Sequence, residues 1–187
     1  MRILEALQRC ADNFTLVQIV RQEIYDEAKS LIGVPVVFST QWIVLTRLDD
    51  AISLDGFDAL RVSDVTKINT RFRRSVFYTR GLRSRRAQIA AVPKLDLRST
   101  PSLLRSVQRW FALLTIDREN ANPGAAEIGQ VGRISTRGYA MRLLTPDAKW
   151  VPGWRRYAIK DITRIGFGGS YEETLAQVAA LPDPKWR

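Results

Sequence analysis

Residues 71–92 read RFRRSVFYTRGLRSRRAQIAAV, with arginine at Arg71, Arg73, Arg74, Arg80, Arg83, Arg85 and Arg86. Guanidinium groups neutralise phosphates, and the interleaved Phe72, Phe77 and Tyr78 offer faces on which bases stack, so the mixture suits a nucleic acid held mainly through its backbone. The same composition also describes a solvated helix face whose aromatics point inward. A second candidate is the pair Trp150 and Trp154 beside Arg155 and Arg156, a stacking platform for a ligand or a cover for one end of the fold.

Other chemistries lack their residues. The chain contains no histidine, which removes the commonest general base and the commonest metal ligand near neutral pH. Its one cysteine, Cys10, can neither form an internal disulfide nor supply the thiolates of a zinc site. Asp49, Asp50, Asp55 and Asp58 lack the spacing and closing glutamate of a calcium loop, and turn chemistry accounts for them. The run Gly166-Phe167-Gly168-Gly169 precedes a helix and invites a phosphate-loop interpretation. Against it, Glu172 and Glu173 place carboxylates at the positive end of the helix dipole, and Ser170 with Glu173 has capping-box spacing. Asp64 and Asp161 suit caps of a turn better than a catalytic pair. The expectation is a binding protein and not an enzyme, with no cofactor and no metal.

Helices and strands must position these residues. Ile3, Leu7 and Cys10 recur at helical spacing. Residues 15–23 alternate as a strand, VPVVF (34–38) and residues 42–45 form a hairpin about Ser39-Thr40-Gln41, and residues 59–62 form a fourth strand after a turn at Asp55-Gly56. A short fifth strand ends near Asn69. The arginine stretch fits a broken helix, and Pro93 with residues 96–100 marks a linker. Thr100 and Pro101 are then expected as the N-cap and first-turn residues of a helix presenting Leu103, Val107, Trp110 and Phe111.

Beyond this point the first half recurs. VSDVTKI (62–68) is echoed by IKDITRI (159–165), IGVPVVFST by IGQVGRIST, and Phe14 by Phe111, with offsets of 96 or 97 residues. Internal periodicity of this kind implies duplication, placing one repeat with a basic helical extension at 1–92 and a second with a C-terminal helix at 93–187. Leu114 and Ile116 then stand where Val17 and Ile19 stood, and Pro152-Gly153 takes the turn role of Asp55-Gly56. Glu172 and Glu173 occupy the places of Ser75 and Val76, so the basicity belongs to one half.

The order helix, three strands, a fourth, a tight turn and a short closing strand resembles the Sm-like small β-barrel. The resemblance rests on Gly33 and Gly129 opening strand two and on the apolar-x-x-Ile endings at Val65 to Ile68 and Ile162 to Ile165. It implies a mainly β protein with short helices, built of two tandem five-stranded barrels, each preceded by a helix. Sm proteins bind RNA through an Asp and Asn near the strand-two/three turn and an Arg-Gly near the end of strand four. Here those places read Ser39-Thr40-Gln41-Trp42 and Arg61-Val62-Ser63, then Ser135-Thr136-Arg137-Gly138 and Ala158-Ile159-Lys160, so that site is not carried over. The ending DITRIGFGGSYEETL also resembles that of an uncharacterised bacterial family.

Lysine and arginine outnumber aspartate and glutamate 29 to 19, a formal charge of +10 on 187 residues. That biases the chain toward polyanions. No apolar run approaches a membrane span, no secretory signal opens the chain, and the lone cysteine fits a reducing compartment. The expectations are a cytoplasmic location and no membrane association. The function expected first is a scaffold, as a homo-oligomer or with a protein partner; the alternative is RNA or DNA binding through residues 71–86.

Overall fold

A computed structural model describes residues 2–21, 24 and 30–181. Gln22, Glu23 and most of the polar stretch before Ser30, expected to end strand one and lead to strand two, lie outside the described residues. The chain divides into two compact units, Met1–Val92 and Pro93–Arg187. Both are mainly β.

In the first unit α1 (Arg2–Asp12) is followed by β1 (Val17–Arg21), β2 (Ser30–Phe38), β3 (Trp42–Leu48), β4 (Leu54–Arg61), β5 (Val65–Asn69) and α2 (Ser75–Ser84). The strands form an antiparallel sheet in the order β5-β1-β2-β3-β4. Leu7 and Cys10, one turn apart on α1, pack with Val17, Ile19, Leu31, Ile43, Leu45 and Leu60. A separate cluster joins Leu16 and Val34 to Leu82 of α2. Each is the apolar stripe of a helix laid on sheet side chains of matching character.

In the second unit come α3 (Thr100–Val107), β6 (Leu114–Asp117), β7 (Ala126–Ile134), β8 (Gly138–Leu143), β9 (Arg155–Ala158), β10 (Arg164–Phe167) and α4 (Ser170–Val178). Their antiparallel order is β10-β6-β7-β8-β9, the first unit's order with each strand replaced by its counterpart. The helix N-cap is Ser99, one residue before the expected Thr100: its hydroxyl accepts the Ser102 N–H at 3.2 Å. Thr100 and Pro101 instead occupy the first turn.

The two units also share local geometry. Ser39 Oγ accepts the N–H groups of Gln41 and Trp42, and Ser135 Oγ accepts those of Arg137 and Gly138. In the β3–β4 connection the Asp49 N–H donates to Ser53 O and the Ile52 N–H to Asp49 O, with Ile52 at φ 58°; between β8 and β9 the Thr145 N–H donates to Lys149 O and the Ala148 N–H to Thr145 O, with Ala148 also at φ 58°. Glycine is required at the fourth residue of β2 and of β7. A methyl group on Gly33 would run into the Thr46 carbonyl, and one on Gly129 into that of Arg142.

Several expectations are corrected. Neither sheet closes into a barrel: among the described residues β5 forms a ladder with β1 alone and β9 with β8 alone. Closure requires the outer strands of a sheet to be tilted and staggered onto one another, and among these residues neither β5 with β4 nor β10 with β9 forms such a ladder. The turn expected at Asp55-Gly56 lies earlier, where the Asp49 carboxylate accepts both the N–H and the hydroxyl of Ser53. Asp55 and Gly56 belong to β4, and Gly56 at φ 65° lies opposite a register slip between Thr46 and Leu48, where a bulge needs positive φ. Asp64 and Asp161 end 3-10 turns closed by backbone bonds, Val65 N–H to Val62 O and Ile162 N–H to Ile159 O. Asp64 accepts instead from the Ser63 hydroxyl.

Among the described residues no helix is long and apolar enough to cross a membrane. Gly33→Ala and Gly129→Ala are expected to cost about 1–3 kcal/mol each by overpacking against a carbonyl. Urea unfolding midpoints check this, with unchanged midpoints counting against the close approach.

Candidate nucleic-acid interface

The seven arginines sit on α2 and its two flanks, and all seven are exposed. What fixes them is a small apolar footing. Leu82 is the buried residue of α2, and with half-buried Phe72 and Tyr78 it joins the cluster around Leu16 and Val34. Tyr78 and Leu82 are four residues apart and so share a helix face. Gly81 permits the close fit, since a methyl there would come within 2.7 Å of Ile52 Cγ2. Beyond Ser84 the helix ends in a Schellman motif: Ala87 N–H donates to Leu82 O and Arg86 N–H to Arg83 O, with Arg86 at φ 52°.

The aromatics of the segment divide between two roles. Phe72 and Tyr78 pack inward, whereas Phe77 is 52% exposed, with the Arg74 guanidinium 5.5 Å from its ring centroid. Beside them a groove of about 370 Å³ runs between α2 and residues 13–16, lined by Arg71, Arg80 and Arg83 and flanked by Phe14 and Val76. Val76 is 65% exposed. The groove thus combines cations with apolar surface.

Electrostatically the segment is uncompensated. From Val65 to Leu95 the sequence holds no aspartate or glutamate, and among the described residues none of the seven guanidiniums lies within 4.0 Å of a carboxylate oxygen. Three of them, Arg71, Arg73 and Arg74, precede the start of α2, where the helix dipole is positive and cations are unfavourable. The N-cap there is Arg74 in the left-handed region, φ 68°, without a capping side chain. Stability alone favours Ser, Asp or Asn at such a position.

The remaining candidates have structural partners. Trp150 packs in the cluster of Leu113, Leu144, Leu175 and Ala176, with the Arg142 guanidinium 4.4 Å from its ring centroid. Trp154 is 53% exposed and lies over Gly132. In the Gly166-Phe167-Gly168-Gly169 run, Phe167 is buried on Phe111, ring centroids 5.1 Å apart. Gly168 adopts φ 69°, and a methyl there would come within 2.5 Å of the Phe111 ring. Ser170 lies inside α4 rather than capping it, while Glu172 turns inward to accept the Thr115 hydroxyl at 2.5 Å. This glycine run serves packing. Asp55 and Asp58 both face Arg47, at 3.8 and 3.7 Å. Among the described residues no group of three or more Cys, Asp or Glu side chains could hold a metal ion.

A polar network in the second unit had no signal in the spacing of residues. Arg118 donates twice to Glu127 Oε2, at 3.2 and 2.7 Å, and Tyr157 donates to Glu127 Oε1 at 2.7 Å. The same guanidinium lies 4.1 Å from the Tyr157 ring centroid, and Tyr157 stacks on Tyr139 at 5.4 Å. Only the pairing of β6 with β7, β7 with β8 and β8 with β9 brings these four together.

No family model, curated protein or solved structure matches this chain.

Leu82→Ala is expected to cost about 3 kcal/mol, because it removes the anchor of α2; an unfolding midpoint equal to wild type would show that other contacts hold the helix. A pH dependence also follows. Burial, aided by its bond to Glu127, pushes the Tyr157 phenol up from 10.0 to about 12. The fold therefore holds this proton more tightly than the unfolded chain does, and the stabilisation present below pH 10 is lost as pH rises toward about 12. The stability gap between wild type and Tyr157→Phe should narrow across that window in urea titrations; a constant gap would contradict it.

Proposed function

We propose that this protein binds single-stranded nucleic acid through the basic surface of α2 and its flanks, as a binding module and not an enzyme. One observation carries the proposal: seven exposed arginines, none within 4.0 Å of a described carboxylate, lie on a docked helix and its flanks together with an exposed phenylalanine, whose ring centroid is 5.5 Å from the Arg74 guanidinium. A solvated helix face would ordinarily mix signs of charge to stabilise itself. This one concentrates a single sign, including at the helix end where cations cost stability. An incoming phosphate chain supplies the missing anions, and Phe77 with the groove beside Phe14 and Val76 offers surface on which bases can stack. Binding through phosphates and stacking implies little base specificity.

Binding in place of catalysis is supported by how the described carboxylates are used. Asp49 holds a turn, Asp55 and Asp58 face Arg47, Asp117 accepts two bonds from Arg164, and Glu127 accepts from Arg118 and Tyr157. The two units are best understood as copies of one ancestral Sm-like unit that has lost, or never had, barrel closure. The shared strand order and the matched bonds of Ser39 and Ser135 support that origin. Only the first copy acquired the arginines; the second carries Glu172 and Glu173 in α4. A protein-scaffold role is the second reading, favoured by the exposed Tyr171 and Val178 on α4.

Fluorescence anisotropy with a labelled single-stranded oligonucleotide tests the proposal. Log affinity should fall linearly with log salt, and changing Arg71, Arg73, Arg80 and Arg83 to Ala should make that slope shallower by about 3, roughly 0.7 per phosphate contact. Absence of binding at about 50 mM salt, or a quadruple variant with an unchanged slope, would remove it.

A further inference from the structure

The second unit carries a separate cleft with a different architecture. A cavity of about 450 Å³ is lined by Gly132, Arg133, Ala140, Trp154 and Arg156, within the ~300–1,000 Å³ range of small-molecule sites. Its making can be followed residue by residue. Ala140 of β8 pairs with Arg156 of β9, and the β7–β8 ladder slips between Val131 and Ile134, the stretch holding Gly132 and Arg133. Trp154 lies over Gly132 so closely that a methyl group there would come within 2.5 Å of the indole. Glycine and alanine thus leave a shallow apolar floor, with the indole against it and exposed Arg133 and Arg156 among the residues that line it.

An adjoining cavity of about 320 Å³ shares Arg133, Ala140 and Arg156 and continues to Tyr157. Tyr157 is held from outside this cleft by its bond to Glu127 and by Arg118 over its ring, which preforms that wall. Among the described residues neither cavity is lined by a carboxylate, and neither Arg133 nor Arg156 lies within 4.0 Å of one. In the first unit the matching pair of the ladder is Val44 and Ala59, both fully buried.

We infer that this cleft binds a nucleotide, with the base against the Trp154 indole and the phosphate on Arg133 and Arg156. An indole face attracts any flat aromatic ring, and guanidinium groups pair with phosphate through two parallel N–H bonds. A ligand that meets both demands at neighbouring points carries a planar ring and an anionic group on a short connection. The nucleotide comes either free in solution or as one unit of a single strand. This inference does not depend on α2.

Isothermal titration of the protein with Arg71, Arg73, Arg80 and Arg83 changed to Ala keeps the α2 surface out of the measurement. Two probes are used, AMP and an eight-nucleotide oligo(dA). Binding of AMP, weakened about 10- to 100-fold by Trp154→Ala and also weakened by Arg133→Glu with Arg156→Glu, supports the cleft with a free nucleotide as its ligand. Binding of the oligonucleotide alone, with the same two losses, supports it with a strand as the source. Since all three side chains are solvent-facing, circular dichroism should show the variants folded. No binding of either probe at ~1 mM, or binding that the folded variants leave unchanged, overturns the inference whatever the fate of the α2 surface.

Discussion

The first unit's candidate surface depends on how few apolar atoms hold it in place. Leu82 is the residue of α2 withdrawn from water, and Phe72 and Tyr78 share its cluster with Leu16 and Val34. Ala87 and Ile89 pack on the same cluster, but the arginines cannot contribute, because a guanidinium loses too much hydration to be buried unpaired. A helix bearing this many cations can stay docked only if the stripe beneath it is apolar and closely fitted. Gly81 against Ile52 supplies that fit. The division of labour is sharp: a narrow inner face fixes the helix, and the outer face is left to charge.

Charge placement then distinguishes the two units more than their backbones do. Their sheets have the same strand order, their hairpins are closed by the same serine, and their β3–β4 and β8–β9 connections turn on residues with the same φ. Yet α2 is preceded by Arg71, Arg73 and Arg74, whereas α4 opens with Glu172 and Glu173 in its first turn, which suits its dipole. The acidic helix follows the rules for stability; the basic one departs from them. Departure from local stability rules is where a surface used for binding is to be sought.

Much of the fold was legible because its signals are local. The alternation of Val17 and Ile19, the turn at Ser39-Thr40-Gln41 and the helical spacing of Leu7 and Cys10 all act within a few residues. Gly33 and Gly129 were visible as repeated landmarks, although their reason, a carbonyl on the neighbouring strand, was not. What could not be read were features set by pairing at a distance. Asp55-Gly56 has the composition of a turn, but the Asp49 carboxylate had already closed one, leaving Gly56 to a bulge. Closure of the sheets depends on whether β5 meets β4 and β10 meets β9, strands far apart in sequence, which residue type does not reveal. For the same reason Arg118, Glu127, Tyr139 and Tyr157 carried no warning, nor did the floor that Gly132 and Ala140 make beneath Trp154. The arginines were legible by composition alone; their lack of described carboxylate partners needed coordinates.

The central claim is that the basic surface of α2 is where a nucleic-acid strand lies. Backbone amide hydrogen exchange followed by mass spectrometry, with and without a saturating single-stranded oligonucleotide, tests it directly. The account predicts slowed exchange concentrated in residues 71–86 and in the neighbouring residues 13–16. Exchange unchanged across those residues while the oligonucleotide is demonstrably bound would contradict it.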